Sequence, residues 1–167
     1  VPEVKNFFVC CGLNSIGIGS GGGVGKVTAE WLMTGHINQD IFSYDIKRFQ
    51  KFHSDLGFIK KRITESLGDL YGMHWPFKQH KTSRNIKTLP HHDNLKSFGA
   101  CFGVSAGYER PMWFALDGEK SEYEYSYNYQ NWYPSAEYET NNTLKNVGLF
   151  DLTPFSKFEI KSVKAHQ

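Results

Sequence analysis

The chain has 167 residues, 40% of them apolar and 16% aromatic, which is enough for a packed core in one medium domain or in parts of two. Its 19 lysines and arginines nearly balance 17 aspartates and glutamates, and no basic block stands out, which argues against a dedicated nucleic-acid surface. No apolar run approaches the roughly 18 residues of a membrane helix, so we expect no membrane span.

The first predicted element is a short buried strand at residues 5–11, where KNFFVCC combines apolar residues with strong β-formers. The chain starts at Val1 and enters this run almost at once, which indicates an internal piece of a longer protein. Cys10 and Cys11 lie in the strand, and with Cys101 they make an odd count. We therefore expect reduced, buried thiols, as in a cytosol or an organelle matrix.

A glycine-dense loop is predicted at residues 12–23, followed by a helix at residues 24–34 that Gly35 caps. Three of the glycines satisfy the dinucleotide-binding spacing G-x-G-x-x-G, but the first glycine of that motif must follow its strand directly, and here the loop is too long. The P-loop pattern also fails, because Ser20 replaces its first glycine and Val27 replaces its serine or threonine.

Two interpretations of this loop remain open. In the first, the glycines let the backbone approach a planar ligand, and amides beside the helix N terminus supply partial positive charge. That charge suits the electron-rich edge of a reduced flavin, and Lys26 either adds to it or is solvated. In the second, the loop is flexible and joins a strand to a helix without binding any ligand.

The second region, residues 38–90, is predicted to contain a short strand or turn at 40–49 and a helix at 56–71. Residues 78–93 are polar and expected to be irregular. One face of the helix carries four apolar residues: Ile59, Ile63, Leu67 and Leu70. The histidines of this region match no metal-binding spacing, so we expect no metal site: His74, His80, His91 and His92.

The third region begins at residues 95–116, which resemble a strand followed by an aromatic turn, and continues into a charged, exposed connector at 117–122. Glu109 and Arg110 have two possible roles. Arg110 could orient a substrate carboxylate, because arginine binds carboxylates bidentately, or the two residues could form an internal ion pair that locks a turn beside Pro111. We favour the ion pair.

The fourth region starts with an aromatic-rich segment, followed by a helix at residues 137–147 capped by Gly148 and an apolar stretch at 149–160. Asp151 is expected to cap a turn with Thr153 rather than to act in catalysis. The aromatic residues favour packing between domains over stacking on a planar ligand. They are Tyr123, Tyr125, Tyr127, Tyr129, Trp132 and Tyr133.

Taken in order, these segments resemble one family of flavin enzymes. The end of the flavin domain in the sarcosine and dimethylglycine dehydrogenase family is similar to NFFVCCGLNSIGIGSGGGVGKVTAEWLMTG. The small central domain of that family resembles FIKKRITESLGDLYGMHWP and SRNIKTLPHHDNL, and its Gly-x-Glu-Arg-Pro-x-Trp-Phe segment resembles GACFGVSAGYERPMWF. The opening of the folate-binding, aminomethyltransferase-like domain is similar to NWYPSAEYETNNTLKNVGLFDLTPFSKFEIKS.

The resemblance implies an α+β fragment with four parts. Residues 1–36 would be the closing strand, loop and helix of the flavin domain, and residues 37–93 the central domain. Residues 94–122 would connect it to the start of the folate-binding domain at 123–167. The covalent flavin attachment, the catalytic base and most of the folate pocket would lie outside this chain, so we expect the fragment alone to be inactive.

By the same resemblance, the parent protein oxidises an N-methyl group of sarcosine or dimethylglycine and passes a hydride to FAD. The resulting one-carbon unit can be captured by tetrahydrofolate, and in mitochondrial members the electrons go on to an electron-transfer flavoprotein. The family places the flavin contacts at seven residues of this sequence: Gly12, Leu13, Asn14, Ser15, Ile16, Gly17 and Ile18.

Two alternatives come from other functional classes. The same architecture resembles a non-catalytic relative that regulates a pyruvate dehydrogenase phosphatase, and the residues that would separate it from an enzyme lie outside this sequence. A stand-alone interaction domain is disfavoured, because an apolar strand at residues 5–11 would need neighbours on both edges. Mitochondrial matrix and bacterial cytoplasm both suit the composition.

Overall fold

The computed structural model describes residues 1–162 and residue 164, and these form two compact units, the first at residues 1–51 and the second from residue 52 onwards. The elements confirm the α+β class: four α-helices and, within the described residues, a single two-stranded sheet. The helices are α1 (Gly17–Thr34), α2 (Leu56–Asp69), α3 (His92–Ser97) and α4 (Tyr133–Lys145), and the strands are β1 (Ala100–Ser105) and β2 (Tyr108–Phe114). No helix in the described ranges is long and apolar enough to cross a membrane.

The predicted strand at residues 5–11 is wrong, because this segment has no regular structure and its residues are exposed. A strand is stable only when its N–H and C=O groups pair with a neighbour, and the described part of the chain offers no second strand in this unit. Side chains hold the segment instead: the ring of Phe8 meets the ring of Trp31 edge to face, with centroids 5.4 Å apart. Cys10 and Cys11 are therefore exposed, contrary to prediction.

Helix α1 begins seven residues earlier than predicted, at Gly17 rather than at Val24. Most of the predicted loop is therefore helical, although each glycine in a helix costs about 1 kcal/mol relative to alanine. Local hydrogen bonds support the early start, since both the backbone N–H and the hydroxyl of Ser20 donate to the carbonyl of Ile16.

The end of α1 is as predicted. The helix ends at Thr34, and Gly35 adopts the left-handed conformation with φ 77° while its N–H donates to the Trp31 carbonyl. The following segment, predicted as a short strand or turn, forms two single turns of 3-10 helix at Phe42–Tyr44 and Ile46–Arg48.

Helix α2 is confirmed, and the carboxylate of Asp55 caps it by accepting a hydrogen bond from the N–H of Phe58 at 2.8 Å. The orientation of the helix differs from the usual amphipathic arrangement. Its apolar stripe is exposed, and consists of Leu56, Ile59, Ile63, Leu67 and Leu70. Its sheltered stripe is mostly polar, and consists of Phe58, Arg62, Glu65 and Asp69.

Strands β1 and β2 form an antiparallel hairpin, so the predicted aromatic turn after β1 is in fact the second strand. The chain reverses through Ala106 (φ 50°) and Gly107 (φ 81°), a two-residue connection with both positions in the left-handed region. The register shifts between Cys101 and Phe102, which pair with Trp113 and Pro111, so β2 contains one extra residue at this point.

The buried core of the second unit is small and lies around the hairpin. Its apolar members are Leu89, Ala100, Cys101 and Trp113. Gly103 is also buried, and a Cβ there would lie 3.1 Å from the side-chain carbon of Gln79. The Gln79 side chain accepts a hydrogen bond from the N–H of Val104 at 2.9 Å, so the irregular segment before α3 is fixed to the sheet through side chains.

Helix α4 begins four residues earlier than predicted, with Pro134 in its first turn, and ends at Lys145 rather than at Val147, so that Asn146 and not Gly148 is its cap. It is attached to β2 by the carboxylate of Glu139, which accepts a hydrogen bond from the N–H of Phe114 at 2.8 Å. The predicted apolar stretch at residues 149–160 has no regular secondary structure, and most of its side chains are exposed.

Candidate functional site

The first unit contains a cavity of about 310 Å³, at the lower end of the range for small-molecule sites. One wall is the irregular segment of residues 8–13, and the opposite wall is the side of α1. The helix contributes mainly apolar side chains to it, those of Val24, Val27 and Trp31. This arrangement forms a largely apolar slot next to a helix.

The seven residues predicted to contact a flavin differ in whether they line this cavity. Three of them line the cavity: Gly12, Leu13 and Ile16. The other four are not among its lining residues: Asn14, Ser15, Gly17 and Ile18. Gly12 has φ 79°, a conformation that favours glycine, and an added Cβ would meet no atom of this chain within 4 Å.

The predicted electrostatic contribution of α1 changes with the position of its first turn. The unpaired amides of a helix lie in its first turn, which starts at Gly17. Ile16, which precedes that turn, lines the cavity, but the helical residues that do so begin only at Gly23. Lys26 is 72% exposed and lies 3.8 Å from Glu30, one turn further on. Of the two roles considered for Lys26, the structure favours a solvated surface pair.

One cation at this cavity was missed by the sequence analysis. Arg48 lines the cavity together with Asp45, and its Nη1 donates to the Asp45 carbonyl at 3.0 Å. Its guanidinium also lies over the ring of Phe49, 4.2 Å from the centroid. The only signal in the sequence was the charged YDIKRF segment, which does not indicate which way its side chains point.

The second unit is organised around a buried carboxylate, Glu109, which is 2% exposed. The predicted ion pair between Glu109 and Arg110 is wrong, because Glu109 pairs with the distant Arg84 instead. The Nε and Nη2 atoms of Arg84 donate to the two carboxylate oxygens at 2.7 and 2.5 Å, and the N–H of Asn85 adds a third bond at 2.8 Å. Arg110 instead lies over the ring of Phe155, with 5.1 Å to its centroid.

The ion pair determines the protonation states of both partners. Burial alone would raise the pKa of Glu109, but the hydrogen bonds from Arg84 and Asn85 outweigh it and lower that pKa. The same bond to Glu109 raises the pKa of Arg84 despite partial burial. Both groups are therefore charged, and each carries the counter-charge of the other.

A second polar cluster lies between α2 and the segment that follows it. The carboxylate of Glu65 accepts hydrogen bonds from the N–H of Lys81 at 2.7 Å and from the N–H and hydroxyl of Thr82. Burial opposes ionisation of Glu65, but these bonds outweigh it and lower its pKa to about 2. Next to it, Lys78 donates to Asp69 at 2.5 Å.

Glu65, Asp69 and His80 bring their ligand atoms within 4.8 Å of one another. A metal site needs oxygen or nitrogen lone pairs that are free to coordinate, but here Glu65 and Asp69 already accept hydrogen bonds from protein groups. His80 is 3.8 Å from Glu65 and largely exposed. The cluster therefore has the character of a structural hydrogen-bond network.

Side chains of the aromatic segment at residues 123–133 contact the segment at residues 74–79. Tyr125 accepts a hydrogen bond from the N–H of Gln79 at 2.8 Å, and Tyr127 donates to the carbonyl of His74 at 3.1 Å. The ring of Tyr127 also lies 4.7 Å from that of Trp75. These contacts agree with the packing interpretation, and they join the segments that precede and follow the hairpin.

Two smaller predictions are also resolved. The carboxylate of Asp151 accepts a hydrogen bond from the N–H of Thr153 at 2.9 Å, which confirms the predicted turn cap. Cys101 is buried as expected, and burial raises the pKa of its thiol to about 11. Burial likewise raises the pKa of Tyr123 to about 12.

Two known protein families match the chain in succession. Residues 34–88 match the family described as FAD dependent oxidoreductase central domain. Residues 91–167 match the family described as GCVT N-terminal domain. Together they account for most of the sequence after helix α1.

Individual proteins are similar over longer stretches. The 4-methylaminobutanoate oxidase (formaldehyde-forming) of Paenarthrobacter nicotinovorans is 41% identical over 158 residues, which is 95% of this chain and 19% of that protein. The mitochondrial pyruvate dehydrogenase phosphatase regulatory subunit of Mus musculus is 32% identical over 96% of this chain and 19% of its own length. The mitochondrial sarcosine dehydrogenase of Homo sapiens is 36% identical over 75% of this chain and 14% of its own length. The chain thus spans less than a fifth of these relatives.

Proposed function

Because the chain belongs to the family of FAD-dependent oxidoreductases that includes sarcosine and dimethylglycine dehydrogenases, we propose that its parent protein oxidatively demethylates a small N-methylated amino acid. The observation that carries the proposal is the similarity to an amine oxidase along 95% of the chain. Sarcosine, dimethylglycine and 4-methylaminobutanoate are the candidate substrates, because relatives are named for them.

FAD is the proposed cofactor, and the cavity of the first unit would contact its isoalloxazine ring. An apolar slot suits a flat aromatic ring, and Gly12 has no side chain to obstruct one. Leu13 and Ile16 would contact the ring from one side, and Val27 from the helix. Bound FAD supplies the hydride acceptor, and the chain contributes a shaped, partly dry surface around it.

The charge at this cavity would come from Arg48 in addition to the backbone. A reduced flavin carries negative charge, and a guanidinium at the cavity wall would stabilise it. Arg48 would therefore supply the positive charge that the sequence suggested for Lys26, whose side chain is solvated. The seven-residue contact set at residues 12–18 remains a prediction.

We further propose that the one-carbon unit released by demethylation passes to tetrahydrofolate. The support is the match of residues 91–167 to the GCVT N-terminal domain, the type of domain that the sequence resemblance associates with folate. In a mitochondrial parent protein, an electron-transfer flavoprotein would accept the electrons. A mitochondrial matrix or a bacterial cytoplasm would suit these partners, and relatives of both origins exist.

A regulatory function is the second candidate, supported by the 32% identity to the phosphatase regulatory subunit. The higher identity to the amine oxidase favours the enzyme. The residues that bind substrate and attach the flavin decide between the two. A full-length parent protein with bound flavin and no activity towards any N-methyl amino acid would support the regulator.

The test is an amine-oxidation assay on the full-length parent protein with the three candidate substrates side by side. We expect turnover of at least one, with bleaching of the flavin absorbance when oxygen is excluded. Val27→Trp should fill the cavity and lower the FAD content about tenfold, since overpacking costs about 1–3 kcal/mol. Leu32→Trp, on the same helix but outside the cavity, is the matched control and should keep its flavin. Equal flavin loss in both variants would contradict the assignment of the cavity.

A further inference from the structure

A second cavity, of about 700 Å³, lies in the second unit and has no role in the proposed oxidation. It is bounded by the segment of residues 79–85, by α3, by β1 and by the connector that leads to the aromatic segment. Its volume is within the range of small-molecule sites and well above that of a single inorganic ion.

The side chains around this cavity carry an excess of positive charge. Lys81, Lys96 and Lys120 line it, together with one carboxylate, Glu122. Arg84 also lines it, but its charge is balanced by the buried Glu109. In the described part of the chain, none of the three lysines forms an ion pair. Like charges that share one concave space repel one another, and an anion between them would relieve that repulsion.

Aromatic residues also line this cavity, together with further hydrogen-bonding atoms. Phe102 forms one wall, and the ring of His92 lies 4.2 Å from it. The Nδ1 atom of His92 is buried and has no hydrogen-bond partner among the described residues. Tyr123 and Tyr125 form another wall, with parallel rings whose centroids are 5.6 Å apart.

From this arrangement we infer that the cavity binds a small organic polyanion, one that carries two or more carboxylate or phosphate groups. The three lysines come from three separate segments, so a ligand with several anionic groups would satisfy them together where a single ion would not. Lysine is well suited to this role, because its ammonium group is a mobile point charge that accepts many anion geometries. The aromatic walls would accommodate the carbon skeleton of the ligand.

The test uses titration calorimetry of the purified protein at low ionic strength, with inorganic pyrophosphate and citrate as probes. We expect one site per chain for at least one probe, and weaker binding as salt is added. Lys96→Gln and Lys120→Gln should each weaken binding about fivefold. Lys60→Gln on α2, an exposed lysine outside the cavity, makes the same charge change and should leave binding unchanged. A preference for pyrophosphate would identify a phosphate ligand, and a preference for citrate a carboxylate ligand.

A second measurement locates the bound probe without any substitution. Lysines modified by acetic anhydride are identified by mass spectrometry, and a saturating probe should protect Lys81, Lys96 and Lys120 while Lys60 stays reactive. The inference is overturned if neither probe binds, if Lys60→Gln weakens binding as much as the cavity variants, or if protection is equal at all four lysines. Because no flavin or amine substrate is involved, these outcomes are independent of the proposed oxidation.

Discussion

Replacing Glu109 with glutamine tests whether the buried ion pair stabilises the second unit. The substitution preserves the shape of the side chain but removes its charge and one acceptor. Three donors converge on this carboxylate, two from Arg84 and one from the backbone of Asn85. A glutamine amide offers one oxygen to these donors and directs its own N–H groups at the others. Glu109→Gln therefore leaves a partly buried guanidinium without a counter-charge.

The size of the effect follows from this loss. Removing one partner of a buried ion pair costs about 3–5 kcal/mol, because the remaining charge stays desolvated. Arg84 is 24% exposed and also donates to the carbonyls of His80 and Phe102, so some water and some hydrogen bonds remain. We therefore expect a loss near the lower end, about 3 kcal/mol. In the double variant Glu109→Gln, Arg84→Met no charge is left unpaired, and the loss should fall to about 1–2 kcal/mol.

Urea unfolding followed by far-ultraviolet circular dichroism measures these free energies. Glu137→Gln on α4 is the matched control, because Glu137 is exposed, and it should change the free energy of unfolding by no more than about 0.5 kcal/mol. The reasoning is refuted if Glu109→Gln costs no more than this control. It is also refuted if the double variant loses the full sum of the two single losses, because the two residues would then be energetically independent.

Three further predictions concern single residues. The pKa of Glu65 is lowered from 4.5 to about 2, so its ionised form contributes stability above pH 4.5 that is lost as the pH falls towards 2. In Glu65→Gln, the free energy of unfolding should therefore fall less steeply between pH 4.5 and pH 2. Ala106→Asn should raise the free energy of unfolding by about 0.5–1 kcal/mol in a thermal melt, because asparagine tolerates φ 50° better than alanine, and an unchanged or lower melting temperature would contradict the turn assignment. Iodoacetamide at pH 8 should alkylate Cys10 and Cys11 but leave Cys101 intact in the folded protein, and mass spectrometry showing equal labelling at all three would refute its burial.

The elements that were predicted correctly are those specified by local sequence. Helix α2 was predicted from its apolar spacing, and the end of α1 was predicted from Gly35. The turn at Asp151 was predicted because an aspartate side chain commonly accepts a hydrogen bond from the backbone N–H two residues further on. In each case the stabilising contact joins residues within four positions of one another.

The failures arose where contacts between distant residues decide the structure. The segment at residues 5–11 has the composition of a strand, but composition does not supply a partner. Pro111 and the charged pair before it suggested a turn, whereas a proline is tolerated here beside the irregular register of a two-stranded sheet. Arg84 is 25 positions from Glu109, and no spacing rule indicates that contact.

For the candidate cavity, the sequence indicated its chain segment but not its geometry. Gly12, Leu13 and Ile16 were recognised through resemblance, and they line the cavity. Arg48 was overlooked because 3-10 turns have no fixed relation between sequence position and direction. The start of α1 was misplaced because glycine-rich sequence usually indicates a loop, whereas here the backbone N–H and the hydroxyl of Ser20 both bond to the Ile16 carbonyl and the helix begins at Gly17.

The segment between α2 and α3 has a consequence for amide hydrogen exchange. Apart from an isolated bridge between Thr88 and Glu109, it has no regular secondary structure. The N–H groups of Lys81, Thr82 and Asn85 are nevertheless bonded to carboxylates, and that of Gln79 to a phenol. These amides should exchange slowly with deuterium, at rates comparable to those of the hairpin, in a region that a spectroscopist would record as coil. Slow exchange in this protein is therefore a poor guide to regular secondary structure. In this segment it depends on the ionised carboxylates of Glu65 and Glu109, which accept these hydrogen bonds.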